Sequence, residues 1–135
     1  MKAYISISFA KRYSLVEELN TIIEALKNLK IEPLVFIDSY KFIPEEEKNM
    51  MHQAMLSIDS CDLLIAETTD KGIGIGVEVG YAKGKGKPVI YIRNKNAEHS
   101  TTVSGISDFQ IIYDNLFDLK RQLATTLSAI IRLSK

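Results

Sequence analysis

The sequence predicts an α/β protein: an open, five-stranded, mostly parallel sheet with helices on both faces, a flavodoxin- or Rossmann-like three-layer sandwich. Three observations predict it. Segments of strand-like apolar pattern alternate five times with segments of helical period. The run DLLIAE, at 62–67, is apolar almost throughout, as a strand covered on both faces reads. The 135 residues contain no linker, repeat or low-complexity stretch, so the whole of 1–135 reads as one domain.

The elements follow in order. Residues 2–9 alternate and are rich in β-branched and aromatic side chains, which predicts the first strand. Ser14 with Glu17 three residues on has the form of a capping box. Leu15, Leu19, Ile22, Ile23, Leu26 and Leu29 then recur at helical spacing, predicting a helix over 14–30. Residues 33–37 give a short second strand. Pro44, followed by Glu45, Glu46 and Glu47, opens a helix that runs to about residue 60. Its methionines, Met50, Met51 and Met55, are expected as core filler, with a soft pocket wall as the alternative.

After the 62–67 strand comes a glycine-rich turn and a short helix over 77–84, stopped by Lys85-Gly86-Lys87-Pro88. Residues 89–92 make the fourth strand. Residues 94–107 are polar and without period, and read as a loop. A fifth strand is expected over 109–113, and a last helix capped by Asp114 or Asn115. In such sheets ligands bind beyond the carboxyl ends of the strands. The segments after strands one, three and four are expected to converge there.

Composition narrows the function. Seventeen basic and seventeen acidic residues cancel, so no broad basic field is available for a nucleic-acid polymer or a membrane surface. A single nucleotide needs only a local site. No apolar run approaches the ~18 residues of a membrane span. The N-terminus reads as a strand rather than a signal peptide, and a cytoplasmic protein is expected. Cys61 stands alone in an apolar run and reads as a small core residue. His52 and His99 are isolated from other ligand-type residues, so neither a metal nor a cofactor is expected.

The chemistry concentrates in GIGIGVEVGYA, residues 72–82. As a dinucleotide fingerprint it fails, because Gly80 falls one residue late after Gly74 and Gly76. No Walker A pattern exists. As packing, Gly80 and Ala82 would let helix and strand approach closely. As chemistry, Glu78 would sit in the first helical turn, where amides and dipole favour an ionised carboxylate suited to glycosyl transfer. The residues alone leave packing and chemistry open.

The stretch DLLIAETTDKGIGIGVEVGYAKGKGKPVIYI resembles the core of the nucleoside 2-deoxyribosyltransferase family. It is closest to the hydrolase branch, the 2′-deoxynucleoside 5′-monophosphate N-glycosidases. Asp62, Ala66, Glu67, Gly74, Gly76, Glu78, Gly80 and Ala82 all match its pattern. The resemblance implies that Glu78 is the nucleophile, with Gly74 and Gly76 against the sugar. Ser100 in STTVSG is similar to a serine that reaches the 5′-phosphate in a neighbouring subunit, which implies at least a homodimer. Ser8 matches the serine of the family's first loop. There Ile7 replaces a glycine and Ala10 an arginine, so Lys11 or Arg12 would supply the charge. Tyr13 or Phe9 would stack on the base.

One departure is large. The family carries an aspartate about 24 residues before the nucleophile, where this chain has Ala54. Asp59 and His52 are near in sequence but on other faces of the helix. Asp38 and Asp70 would approach from loops. The expected function is hydrolysis of the N-glycosidic bond of (deoxy)nucleoside 5′-monophosphates through a covalent glycosyl–Glu78 intermediate. The alternatives are a nucleoside 2-deoxyribosyltransferase, a nucleotide-binding module without turnover, and a TIR-like NAD glycohydrolase.

Overall fold

The computed structural model describes residues 1–8, 10–39 and 41–135. Five strands form one sheet: β1 (Lys2–Ile7), β2 (Glu32–Val35), β3 (Leu63–Glu67), β4 (Val89–Asn94) and β5 (Phe109–Tyr113). Their order is β2-β1-β3-β4-β5, and every pairing is parallel. The chain therefore winds outward from β1 in both directions, and the switch point lies between β1 and β3. Pro33 is tolerated because β2 is an edge strand.

Among the described residues, α1 (Val16–Asn28), α2 (Phe36–Ser39), α3 (Glu47–Asp59), α4 (Ile73–Gly84) and α5 (Thr101–Ile106) lie between strands, and α6 (Leu116–Leu133) follows β5. Alternation along β1 divides the core into two layers. Ala3, Ile5 and Ile7 pack with Leu19, Ile22 and Leu26 of α1 and Leu119, Leu123 and Leu127 of α6. Tyr4 faces the other way, into a layer made by Ala54 and Ile58 of α3, Ile75, Val79 and Ala82 of α4, and Val103 of α5. Cys61 is buried there too. Among the described residues no helix is long and apolar enough to cross a membrane.

Several local expectations change. Ser14 caps nothing: its hydroxyl donates to the Lys11 carbonyl, inside a 3-10 turn over Arg12–Leu15, and α1 starts at Val16 without a side-chain cap. The local turn captures the serine before the helix needs it. The second strand ends at Val35 and passes straight into α2. The polar stretch 94–107 contains α5, capped by Ser100, whose Oγ accepts from the Val103 amide. Most consequentially, α4 begins at Ile73, so the glycine segment is helix rather than turn. Ile75, Val79 and Ala82 recur at helical spacing and are buried, and that tertiary burial outweighs the poor helix propensity of the glycines between them. The first strand, expected as far as residue 9, which lies outside the described residues, ends at Ile7; Pro44 opens a 3-10 turn that leads into α3 at Glu47, and Asn115 caps α6 as expected.

Candidate active site

At the carboxyl edge of the sheet, by the switch point, lies a cleft of about 890 Å³. Ile7, Ser8, Ala10 and Tyr13 line it from β1 and the segment that follows. Phe36, Ile37, Lys41, Phe42, Ile43 and Pro44 come from the segment after β2. Glu47, Met50, Met51 and Ala54 come from α3, and Gly72, Gly74, Ile75 and Glu78 from α4. Met50 and Met51 thus form pocket wall, and Met50 also packs against the core as expected of a filler. The segment after β4, expected here, does not line the cleft; α5 packs its Val103 into the core beside α4 instead. A smaller hollow of about 270 Å³ sits at the opposite edge, around Met1, Pro88 and Leu133, and its one carboxylate, Asp62, accepts from the Lys2 amide.

Glu78 is held by β1. Tyr4 and Ser6 lie two residues apart, so their side chains leave the strand on the same face, toward α4. The Ser6 hydroxyl donates to Oε1 of Glu78 at 2.9 Å, and the Tyr4 hydroxyl donates to Oε2. The Tyr4 ring stacks on Phe36, which stacks on Phe42, so the donor is fixed by packing. Burial pushes the Glu78 carboxyl above the ordinary glutamate range, and the two hydroxyls pull it back only in part. Burial and the Glu78 charge push the Tyr4 phenol far upward, so it remains a proton donor. Glu78 lies in the second turn of α4, not the first as expected. The helix dipole has faded there, and the two hydroxyls orient the carboxylate in its place.

Two more pairs join segments that contribute to the cleft, though of their residues only Ser8 lines it. Ser8, only 6% exposed, donates its hydroxyl to Oδ2 of Asp70 at 2.6 Å. Arg12 grips Asp38 through Nε and Nη2, at 2.8 and 2.6 Å, while its Nη1 is buried without a partner among the described residues. The cation expected to serve a phosphate is therefore engaged elsewhere. Lys11 is exposed and does not line the cleft. Lys41, not singled out in the sequence, is the cation that does. Tyr13 is 86% exposed at the rim, and the Arg12 guanidinium lies 5.6 Å from its ring centre. Phe9, the other stacking candidate, lies outside the described residues.

On the opposite face of the sheet is a group that sequence reasoning left without a role. Glu67, fully buried at the end of β3, accepts from the Tyr113 hydroxyl at 2.9 Å and from the Thr69 amide at 2.5 Å. The Thr69 hydroxyl in turn accepts from the Asn94 amide. This network ties the ends of β3, β4 and β5 together and fixes the backbone that leads to Asp70. Burial raises the Glu67 carboxyl above its ordinary range despite these donors.

A sequence model of the nucleoside 2-deoxyribosyltransferases matches residues 7–119. The chain belongs to this family. None of the curated protein sequences matches it. Among solved structures, it is similar to a CMP N-glycosidase of Clostridium botulinum, at 20% identity and a TM-score of 0.65, covering 93% of this chain and 99% of that one. It is also similar to the 2-deoxyribosyltransferase of Bacillus psychrosaccharolyticus, at 14% identity and a TM-score of 0.71, covering 91% and 96%. A conserved protein of Enterococcus faecalis V583 gives 16% identity and a TM-score of 0.68, covering 93% and 98%. These likenesses establish the deoxyribosyltransferase fold.

Within that fold the remaining residues fall unevenly. Ala54, where the resemblance implies an acid, faces the cleft. Neither neighbour replaces it: Asp59 accepts from the Tyr81 hydroxyl at 2.8 Å, and His52 is exposed outside the cleft. Ser100 is absent from its own chain's cleft; its amide donates to the Tyr91 hydroxyl. Gly74 lines the cleft, but Gly76 does not. A Cβ built at Gly74, Gly76 or Gly80 meets nothing within 4 Å, so helix–strand packing is not what these glycines serve. Gly76 and Gly80 instead lie on an exposed face of α4 with Ile73, 90% exposed, and Val77, 50% exposed.

Proposed function

We propose that this protein cleaves the N-glycosidic bond of a (deoxy)nucleoside or its 5′-monophosphate, with Glu78 as nucleophile and water as the final acceptor. The observation that carries the reading is a carboxylate on the cleft wall with both oxygens held by fixed hydroxyls. Glu78 attacks C1′ on the face opposite the base. The C1′–N bond breaks through an oxocarbenium-like state, and the base leaves with the bonding electron pair. Tyr4 and Ser6 hold the carboxylate in register for attack. A water then adds to C1′ and gives up a proton, balancing the one the departed base takes up from solvent; the ester bond to Glu78 breaks, and the carboxylate is regenerated.

The base would lie against Met50, Met51, Ala54 and Phe42, with Tyr13 closing over it. Ser8 and Gly74 would border the sugar. Lys11 and Arg12 are not assigned to a phosphate, because one faces solvent and the other is paired with Asp38. A homodimer belongs to the same proposal: the exposed apolar and glycine face of α4 offers a second copy a close contact, through which Ser100 of that copy would approach the cleft. Sedimentation of wild type and Ile73→Glu across a concentration series tests it; a monomer throughout sinks the dimer.

The activity is tested by incubating the protein with deoxynucleosides, ribonucleosides, their monophosphates and NAD, and measuring free base. The expected result is base release that Glu78→Ala abolishes, with a glycosyl adduct on Glu78 seen by intact mass. Transfer of the sugar to a second base would identify a transferase, and nicotinamide release a NAD glycohydrolase. Saturable binding without release would identify a binding module. That second reading is favoured by one observation, the alanine at position 54 on the cleft wall.

A further inference from the structure

We propose that Glu67 and Tyr113 are positioning residues for Glu78: on the face of the sheet away from the cleft, they pin the connection from β3 to α4 and so fix where α4 presents its carboxylate. Glu67 ends β3, and its register partners are Ile7 of β1 and Ile92 of β4. Ile7 stands between Ser6, which holds Glu78, and Ser8, which holds Asp70. The end of β3 is therefore laid against the stretch of β1 that serves the site. Tyr113, the donor to Glu67, is buried in the opposite core layer, with Ile7 and Ile65.

The connection is short and is held at successive residues. The Thr68 amide and hydroxyl both donate to the Ile92 carbonyl, at 2.7 and 2.9 Å. Thr69 donates its amide to Glu67 at 2.5 Å, and its hydroxyl accepts the Asn94 amide at 3.1 Å. Asp70 accepts from Ser8. The helix then opens at Ile73, and that opening does not hold itself. Gly72 supplies no side-chain cap, Ile73 is 90% exposed, and Gly74 and Gly76 are poor helix formers. The first side chain of α4 to be buried is Ile75. The start of the helix is thus set from upstream, where Glu67 is the acceptor for the Thr69 amide and Tyr113 is the donor that keeps Glu67 in place. An apolar side chain would end β3 without the cost of burying a carboxylate. What the carboxylate adds is direction, because its bond to Thr69 turns the chain out of the strand.

The test compares Glu67→Gln, Glu67→Leu and Tyr113→Phe with wild type, with thermal melting to verify that each variant folds. Two quantities are read: the titration of the Glu78 carboxyl, by carbon NMR of the labelled side chain, and kcat for base release as a function of pH. Only the second rests on Glu78 acting at C1′, as proposed above. Glu67→Gln keeps an acceptor for the Thr69 amide and offers a donor to the Tyr113 oxygen, so it should stay near wild type in both. Glu67→Leu leaves the Thr69 amide without its acceptor and frees the start of α4. Ser6 and Tyr4 then hold Glu78 less well, so its titration and the acid limb of the rate should both move to higher pH. Turnover at neutral pH should fall at least about tenfold. Tyr113→Phe should act in the same direction, and it decides the matter if Glu67→Leu does not fold. A Glu78 titration that matches wild type in the folded Leu or Phe variant overturns the inference, as do equal shifts in the Gln and Leu variants. If no substrate releases base, yet the Glu78 titration moves in Glu67→Leu and not in Glu67→Gln, this inference stands and the cleavage reading falls.

Discussion

Ser6 and Glu78 are 72 residues apart in the chain, yet the serine hydroxyl meets Oε1 of the carboxylate at 2.9 Å. Tyr4, one step back on the same strand face, takes Oε2. Both donors favour the ionised carboxylate and oppose the burial that raises it. If Glu78 is the nucleophile, as proposed, it is active when ionised, so activity should rise with pH along an acid limb set by Glu78. Tyr4→Phe removes one opposing donor and should move that limb to higher pH. At neutral pH kcat/KM should drop roughly tenfold or more, as for a lost hydrogen bond to a charged group. An unmoved limb in the pH–rate profile would show that Tyr4 does not tune Glu78.

Ala54 is buried on the cleft wall, where an acid would be able to protonate the departing base. Ala54→Asp should raise the rate of base release, within the range of roughly 10²–10⁴-fold that general acid catalysis contributes. The gain should be largest for bases that leave poorly. A buried carboxylate also costs stability, on the order of 1–3 kcal/mol. Rates on substrates with good and poor leaving groups, with urea melts alongside, check both halves. A uniform slowing would argue against the position as an acid site.

Glu67 gives a stability prediction with a definite sign. Its folded-state carboxyl is raised by burial, so the folded protein holds a proton that the unfolded chain releases at lower pH. That contribution is fully present below the ordinary glutamate range. It is lost as pH rises through the raised folded value, and stability is flat above it. Glu67→Gln lacks the ionisation. Its stability relative to wild type should therefore climb with pH and then level off, as read from denaturant melts at several pH values. A difference independent of pH would mean that Glu67 titrates normally.

The glycines of α4 separate monomer from dimer. Nothing lies within 4 Å of a Cβ built at Gly80, and glycine in a helix interior costs up to about 1 kcal/mol relative to alanine. Gly80→Ala should stabilise the isolated chain by up to that amount. If the α4 face meets a second copy, the same change should weaken self-association. Thermal melting and sedimentation at matched concentrations read the two effects. Stabilisation with unaltered association would remove α4 from the interface.

The sheet was legible because its evidence is local. DLLIAE is apolar on both faces because β3 is central, flanked by β1 and β4. The 3.6-residue pattern of Leu119, Leu123, Leu127 and Ile130 marks α6 without reference to anything else. Glu78 was legible through the resemblance of GIGIGVEVGYA to a known family's pattern, since the residues alone left packing and chemistry open. The helix beneath those glycines was not, since Gly74 and Gly76 argue for a turn in any local reading. Their state is decided by Ile75 and Val79, which gain burial only when the sheet is there to receive them. The same holds for α5, whose polar sequence carries one buried anchor, Val103.

The sequence by itself determined the order of elements and the strand alternation, because both are written in spacings of two to four residues; the candidate nucleophile came from the resemblance of its glycine segment to a known family. Tertiary structure alone decided the rest. It brought Tyr4 and Ser6 to Glu78, gave Asp70 to Ser8, withdrew Arg12 to Asp38 and set Lys41 on the cleft wall. Those pairings join residues 26 to 74 positions apart. The physical reason is that a side-chain hydrogen bond or ion pair depends on distance and direction in space, and only the parallel winding of the sheet brings these strand ends and loops to one edge.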